Sequence, residues 1–262
     1  PVFNRGEAFA IERTNRSRGT QANRITRSVS SANYMAKNYA LAYDIPIEDR
    51  ANMDAAFQFE LEAGATRYLQ DKLMLDWDRR SLLLAVAGVS TAFAANSSWA
   101  GGGDPINTVW LAQEYVQGIT ALKPNSMLVG WKAWNLLRRN QNFRNFINGN
   151  NNGGGAVTKA QAQAAFEVDR FLVANAFYNP ANENKTATMS NYFPPNGVLL
   201  YYAPLAPSRE APSYMYSFRW TSPLLGTPMA AIRHEFDSRD RVDGIECQYY
   251  QDEKITGSEY GV

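Results

Sequence analysis

The residues whose types could support proton transfer, nucleophilic attack or metal binding crowd toward one end of the chain: His234, Cys247 and the carboxylates Asp237, Asp240 and Asp243. His234, in Arg233-His234-Glu235, is the only histidine of the sequence, which removes imidazole dyads on a metal, proton relays and most triad schemes together. The three aspartates recur at three-residue steps in a stretch that reads as turn-rich. A solvated charged loop accounts for them better than a glycosidase-like carboxylate pair or a cation site. Cys247 is the single cysteine, so no internal disulfide exists, and no flanking His or Lys is present to lower its pKa. It reads as a small buried apolar side chain in a reducing compartment. Gly101-Gly102-Gly103 lacks the following Lys-Ser or Lys-Thr of a phosphate loop and reads as a turn. The chain therefore reads as a non-enzyme with no catalytic residues, no cofactor and no metal site.

The remaining candidates are cations. Arg5, Arg13, Arg16, Arg18, Arg24 and Arg27 concentrate positive charge in the first block, opposed there by Glu7 and Glu12. Their guanidinium forks suit carboxylates on a partner protein and equally suit phosphates, while a charged edge also keeps a solvated arm from unwanted strand pairing. Sparse aromatics near the tip argue against a single-stranded nucleic-acid groove. Arg13, Arg16, Arg18 and Arg24 are the candidate contacts between subunits. The formal net charge of the whole chain is only +1, so no overall field argues for nucleic acid or a membrane as its main partner.

The elements that must carry these residues follow from pattern. At 262 residues, 45% hydrophobic and 13% aromatic, the chain can build one large domain or two intimate ones. Phe9-Ala10-Ile11 and Ile25-Thr26-Arg27-Ser28-Val29 flank a polar tip at Ser17-Arg18-Gly19-Thr20, which predicts a long two-stranded β-arm. A free ribbon is marginal in water, so such an arm needs something to lie on, and a neighbouring subunit would serve. A strand over Tyr39–Ile47 leads to a helix capped by Asp49 or Asn52, whose stripe is Met53, Phe57, Leu61, Ala65, Tyr68, Leu69 and Leu73. Gly64 within it predicts the close approach of another backbone. Arg79-Arg80 and the apolar run through Ala95 imitate a secretory signal, but a helix and a basic hairpin precede them, and the run is too short to cross a bilayer. It reads as a separate buried core segment.

Asp104-Pro105 starts a second helix with Ile106, Val109, Trp110, Gln113 and Val116 on one face. Lys123-Pro124-Asn125-Ser126 breaks the chain, Met127-Leu128-Val129 forms a buried strand, Gly130 a bend, and Trp131 to Arg139 a helix with basic residues at its carbonyl end. Asn148–Gly155 is a flexible polar loop, Thr158 caps a helix through Phe166, and Asn179–Gly197 is a loop. Tyr214, Tyr216, Phe218 and Trp220 place four aromatics on one face of a strand, for core packing or for a patch that another subunit covers. The chain starts at Pro1 and stops at Val262 in what reads as a strand, and both ends are expected to continue or to have been processed.

The order of Tyr39-Ala40-Leu41-Ala42-Tyr43-Asp44-Ile45-Pro46, the long helix to Leu73-Met74-Leu75, Trp99, Asp104-Pro105-Ile106 and Lys123-Pro124-Asn125-Ser126-Met127-Leu128-Val129-Gly130-Trp131-Lys132-Ala133-Trp134 resembles tailed-bacteriophage major capsid proteins. Phe171–Asn179, Val198–Tyr202 and Tyr216–Trp220 fit that family's later strands. The resemblance implies an α+β Hong Kong ninety-seven-like major capsid fold, shared with encapsulins. It places an extended β-hairpin loop at 1–47, a peripheral domain with a long spine helix (about Arg50 to Leu75) at 48–119, an axial domain at 120–222, and a return to the peripheral sheet at 223–262. The 148–155 loop would be either an inter-subunit contact near a symmetry axis or a loose connector.

What the resemblance implies for function is the structural subunit of an icosahedral phage head, assembled in the host bacterial cytoplasm. Its partners would be its own copies in hexamers and pentamers and packaged double-stranded DNA, with cement, scaffold and portal proteins as further partners, and no membrane. Relatives that join subunits through a lysine near the loop tip are not matched, because no lysine lies between Pro1 and Ala36. An encapsulin-type compartment and a nucleic-acid-binding module using the basic arm are the alternatives.

Overall fold

A computed structural model describes residues 9–12, 14–19, 21–22, 24–25, 32–52, 55–91, 99, 103–149, 155–181, 184–208, 211–221, 226, 229–237 and 242–262. The strand that organises the first sheet is the last long one in the chain. β9 (Val242–Ile255) pairs antiparallel along one edge with β1 (Lys37–Pro46), through Val242–Gln251. Its other edge takes β8 (Met229–Asp237) over Val242–Tyr249 and then β7 (Met215–Trp220) over Tyr250–Ile255. The final segment thus supplies the central strand of this sheet. Asp237, expected in a turn-rich stretch, ends β8, and Asp243 lies within β9; Asp240 lies outside the described residues.

Against this sheet lies α2 (Ala55–Ala87), preceded by the short α1 (Ile47–Asn52). Ala65, Leu69 and Leu73 recur every four residues, and all three are buried with Ile45 of β1 and Ile245, Cys247 and Tyr249 of β9. Three expectations for this region are corrected. The helix does not stop near Leu75: its 33 residues, about 50 Å at 1.5 Å each, absorb Asp76–Arg80 and the first part of the apolar run, residues 81–87. Phe57 and Tyr68 of the expected stripe are half exposed. Gly64 meets no other backbone, since a Cβ built there would find nothing within 4 Å. Asp49 sits inside the first turn of α1, where its charge favours the helix N-terminus, and Asn52 ends that helix; Met53 lies outside the described residues.

The far end of α2 leaves this core for another. Ala85 packs with Phe193, Leu199, Tyr214 and Tyr260, and the buried Tyr214 hydroxyl donates to the Ala85 carbonyl. Burial pushes the Tyr214 phenol up to about 12, so it stays a donor. Of the aromatics expected on one strand face, Tyr214 alone is fully buried; Trp220 is half exposed.

The largest cluster forms around β2 (Ser126–Gly130), whose parallel neighbour is β3 (Arg170–Ala174) and antiparallel neighbour β6 (Val198–Tyr201). Asp104 caps α3 (Pro105–Thr120) as expected, accepting from the backbone N–H groups of Ile106 and Asn107, both at 3.1 Å. The buried face of α3 is Ile106, Val109, Ala112, Gln113 and Val116, with Ala112 in place of the expected Trp110. The Gln113 amide donates to the Phe166 carbonyl at 2.7 Å. This helix therefore packs with β2 and α4 (Trp131–Arg139), so a boundary at 120 cuts through one core.

Gly130 sits where a Cβ would fall 2.3 and 2.4 Å from the carbonyl oxygens of Pro195 and Pro194, and that proximity lets the Lys132 and Ala133 N–H groups reach Pro195. A helix that the sequence pattern does not reveal is α5 (Gln141–Asn148). Its cap, Asn140, accepts from the Phe143 N–H and donates to the Trp99 and Gly103 carbonyls at 3.1 and 2.9 Å, wholly buried. Thr158 caps α6 (Lys159–Ala165) as expected, in a reciprocal box with Gln161. Inside the expected loop 179–197, Ser190–Asn191 (β5) pairs with Phe177–Tyr178 (β4). Among the described residues, no helix is long and apolar enough to cross a membrane.

Candidate assembly surface

The basic arm is the first place to look: the described residues between Phe9 and Ile25 carry a turn at Arg18–Gly19, while Thr26–Val29 of the expected second strand lies outside the described residues. Gly19, at φ +83, takes the turn conformation that favours glycine. Arg16, Arg18 and Arg24 are all exposed along this segment; Arg13 lies outside the described residues. Apolar side chains are also left in water, with Ile11 99% and Ile25 70% exposed.

The base of the arm is anchored, a feature that sequence reasoning did not find. Tyr34 stacks on Phe218 of β7 with ring centroids 4.7 Å apart. The Met35 N–H donates to Asp252 at 3.0 Å, and Lys254 donates to the Asn33 carbonyl at 2.6 Å. The signal was the aromatic face of β7, which needed a partner, but nothing local to Tyr34 announced it.

On the body, Tyr43 of β1 and Phe57, Glu60, Leu61, Gly64, Ala65 and Tyr68 of α2 line an open groove of about 580 Å³. The Tyr43 and Tyr68 rings meet edge-on at 6.3 Å. Gly64 keeps its floor low, and the exposed Glu60 supplies an acidic group on a mostly apolar lining.

Two charge clusters tie α2 to its neighbours. Arg50 of α1 pairs with Glu62 of α2 and Asp243 of β9, tying three elements together. Arg80 of α2 bonds Asp76 at 2.9 Å, Glu253 at 2.7 Å and the Tyr249 hydroxyl at 2.8 Å, and its guanidinium lies 3.6 Å from the centre of the Tyr39 ring. Burial pushes the Glu253 carboxyl above the usual range, and the Arg80 charge offsets only part of that.

Two of the residues that could have done chemistry, Cys247 and Asp243, are placed by the structure. Burial, then the charge of Glu246, raises the pKa of the Cys247 thiol, which is fully buried with Sγ 4.0 Å from the Thr66 carbonyl. Asp243 is consumed by its pair with Arg50. His234 lies in β8, and its side chain is outside what is described. Among the described residues, no group of three or more His, Cys, Asp and Glu could hold a metal ion.

No family model matches the chain. Among curated proteins it is similar to the major capsid protein of Burkholderia phage BcepMu, 24% identical over 242 residues, covering 90% of this chain and 76% of that protein. Among solved structures it resembles a phage-related protein of Bordetella bronchiseptica RB50, with a TM-score of 0.72 at 18% identity over 99% of this chain and 83% of the other. The mature capsid of bacteriophage PhiM1 matches with a TM-score of 0.51 at 12% identity, over 96% of this chain and 78% of the other. A virus-like particle from Pyrococcus furiosus matches with a TM-score of 0.51 at 10% identity, over 87% and 75%. The chain has the phage-capsid-like, Hong Kong ninety-seven type of mixed α/β fold.

Proposed function

We propose that this protein is the structural subunit of an icosahedral tailed-phage head, self-assembling into hexamers and pentamers that enclose double-stranded DNA. The observation that carries the reading is a pairing of two surfaces unsatisfied within one copy: an arm that leaves Ile11 and Ile25 in water, and an apolar groove on α2 with Glu60 among its lining residues. An arm of one copy laid on a neighbour buries both, and Arg16 and Arg18 bring cations toward carboxylates on that neighbour. Similarity to a phage major capsid protein over most of both chains supports the same role.

In this reading residues 1–47 are the extended loop and α2 is the spine. The axial part takes α3 together with residues 126–200, because they share one core, and β7 joins the peripheral sheet through β9. Obligate interfaces of about 2,000 Å² or more, repeated over many copies, hold the shell. A near-neutral chain, at +1, suits a lining that holds DNA loosely. The protein would work in the virion after assembly in the host bacterial cytoplasm, with cement, scaffold and portal proteins as further partners.

Electron microscopy of the purified protein tests this, with closed shells built of five- and six-fold clusters as the expected result. A uniformly small species under assembly conditions overturns it. Particles filled with cargo protein and lacking nuclease-protected DNA would assign the chain to an encapsulin-type compartment instead. Replacing Arg16 and Arg18 with Ala is expected to leave the subunit folded and to lower the denaturant concentration at which shells dissociate. Identical dissociation of variant and parent across a salt series would mean that the arm's charges are merely solvated.

A further inference from the structure

Helix α3 is apolar on two faces. One face is buried in the main core; on the opposite side Leu111, Tyr115 and Ile119 follow at four-residue steps, with Gly118 beside them and Trp110 at the flank, edge-on to Phe146 of α5 at 5.8 Å. The five large side chains are each between 37 and 50% exposed. At about 150–250 Å² for a whole side chain of this size, they leave on the order of 400 Å² of apolar surface in water. A patch of that extent is as large as the largest on an ordinary monomer, and such patches mark interaction sites. Exposed Asn107 and Glu114 separate Trp110 from this stripe, so Leu111, Tyr115 and Ile119 form its centre.

We infer that a second copy of this chain covers the outer face of α3, making Leu111, Tyr115, Gly118 and Ile119 the centre of a contact between subunits. The inference rests on the shell reading above and adds the helix face that the shell uses. Three features favour another copy over other occupants. Glu114 is the only charged residue of α3, so the helix offers nothing to phosphates or lipid headgroups. The exposed area is about half of one side of a standard protein interface, which is the share expected of its apolar centre. A Cβ at Gly118 would meet nothing within 4 Å, so a second backbone can approach the helix there.

The test uses the absence of any other accessible thiol. Cys247 is fully buried and is the only cysteine of the chain. Gly118→Cys therefore creates one reactive site, at a position with room for it, and a maleimide probe reads its exposure. Labelling is expected to be at least about tenfold slower in assembled particles than in dissociated subunits, because interface centres exclude water and reagent. A companion variant, Leu111→Lys, changes a half-exposed position, so the subunit is expected to fold and to assemble poorly.

Particles in which the introduced thiol labels as fast as in free subunits, or which Leu111→Lys leaves equally stable, overturn the inference and leave the shell reading standing. Small closed oligomers in which that thiol is protected support the inference and overturn the shell reading. A protein that stays monomeric at all concentrations overturns both.

Discussion

Replacing Arg80 with Met tests whether the charge cluster beneath the sheet is what clamps α2 to β1 and β9. The Glu253 side chain is 7% exposed, so deleting its partner leaves a carboxylate in a poorly solvated site. Removing one member of a buried pair costs about 3–5 kcal/mol. Arg80 itself keeps 21% of its side-chain surface, and water entering there reduces the expected loss to about 2–3 kcal/mol. For a chain of this length that corresponds to a fall in Tm of about 5–10 °C. Met preserves the stem that packs along α2, so the loss reports charge and hydrogen bonding rather than volume.

The pH dependence makes this prediction specific. The Glu253 carboxyl titrates above its ordinary value of 4.5, chiefly because of burial and despite Arg80. A carboxyl raised in the folded state binds its proton more tightly there than in the unfolded chain. Its favourable contribution is complete below the unfolded pKa and is lost as pH rises through the folded pKa. Without Arg80 the offset disappears and the folded pKa climbs further. The penalty of Arg80→Met is therefore greatest near pH 7 and shrinks as pH falls toward 5. The neighbouring Asp76 and Asp252 carboxylates and the Tyr39 and Tyr249 phenols act in the same direction on Glu253 or change little in that window. Urea unfolding of dissociated subunits at several pH values reads the difference, and a Glu253→Gln background should remove at least about 1 kcal/mol of the effect. An equal loss at pH 7 and pH 5, or no coupling to Glu253, would refute the reasoning.

Gly130→Ala pushes a methyl into the Pro194 and Pro195 carbonyls, which are backbone and cannot swing aside. It should cost about 1–3 kcal/mol or more, and an unchanged urea midpoint would show that the segment relaxes freely. Asp104→Ala removes the cap of α3 and should cost about 1 kcal/mol, while Asp104→Asn stays near the parent; equal losses from both would mean that the charge, rather than the acceptor geometry, matters.

What can be read from sequence alone follows the range of the interactions involved. Asp104-Pro105 and the Thr158 box satisfy N–H groups two or three residues away, so they are visible in a short window. The Lys123–Ser126 break is equally local, although its Asn125 side chain also pins Ala203 from both sides, at 2.7 and 3.0 Å. Asp76–Arg80 resembles the end of a helix because charges interrupt the apolar stripe. Their partners, Glu253, Tyr249 and Tyr39, arrive from elsewhere in the chain, and no local pattern shows them. Asn140 escapes a sequence reading for the same reason, since two of its hydrogen bonds reach carbonyls about forty residues back.

A different kind of error is more informative. Pattern predicts burial for Phe57, Tyr68 and Trp110, and in one copy all three are about half exposed. Periodicity reports that a side chain needs cover; it does not report which molecule supplies it. Where one copy leaves several such positions open on a helix whose other face is well packed, the proposed function reads the sequence pattern as that of an assembled state. On the proposed shell reading, the mismatch between pattern and single-copy burial points to where copies would meet, with Phe57 and Tyr68 at the α2 groove and Trp110 at the flank of the outer face of α3. Substitutions there should change particle stability far more than subunit stability, whereas Arg80 and Gly130 should do the reverse.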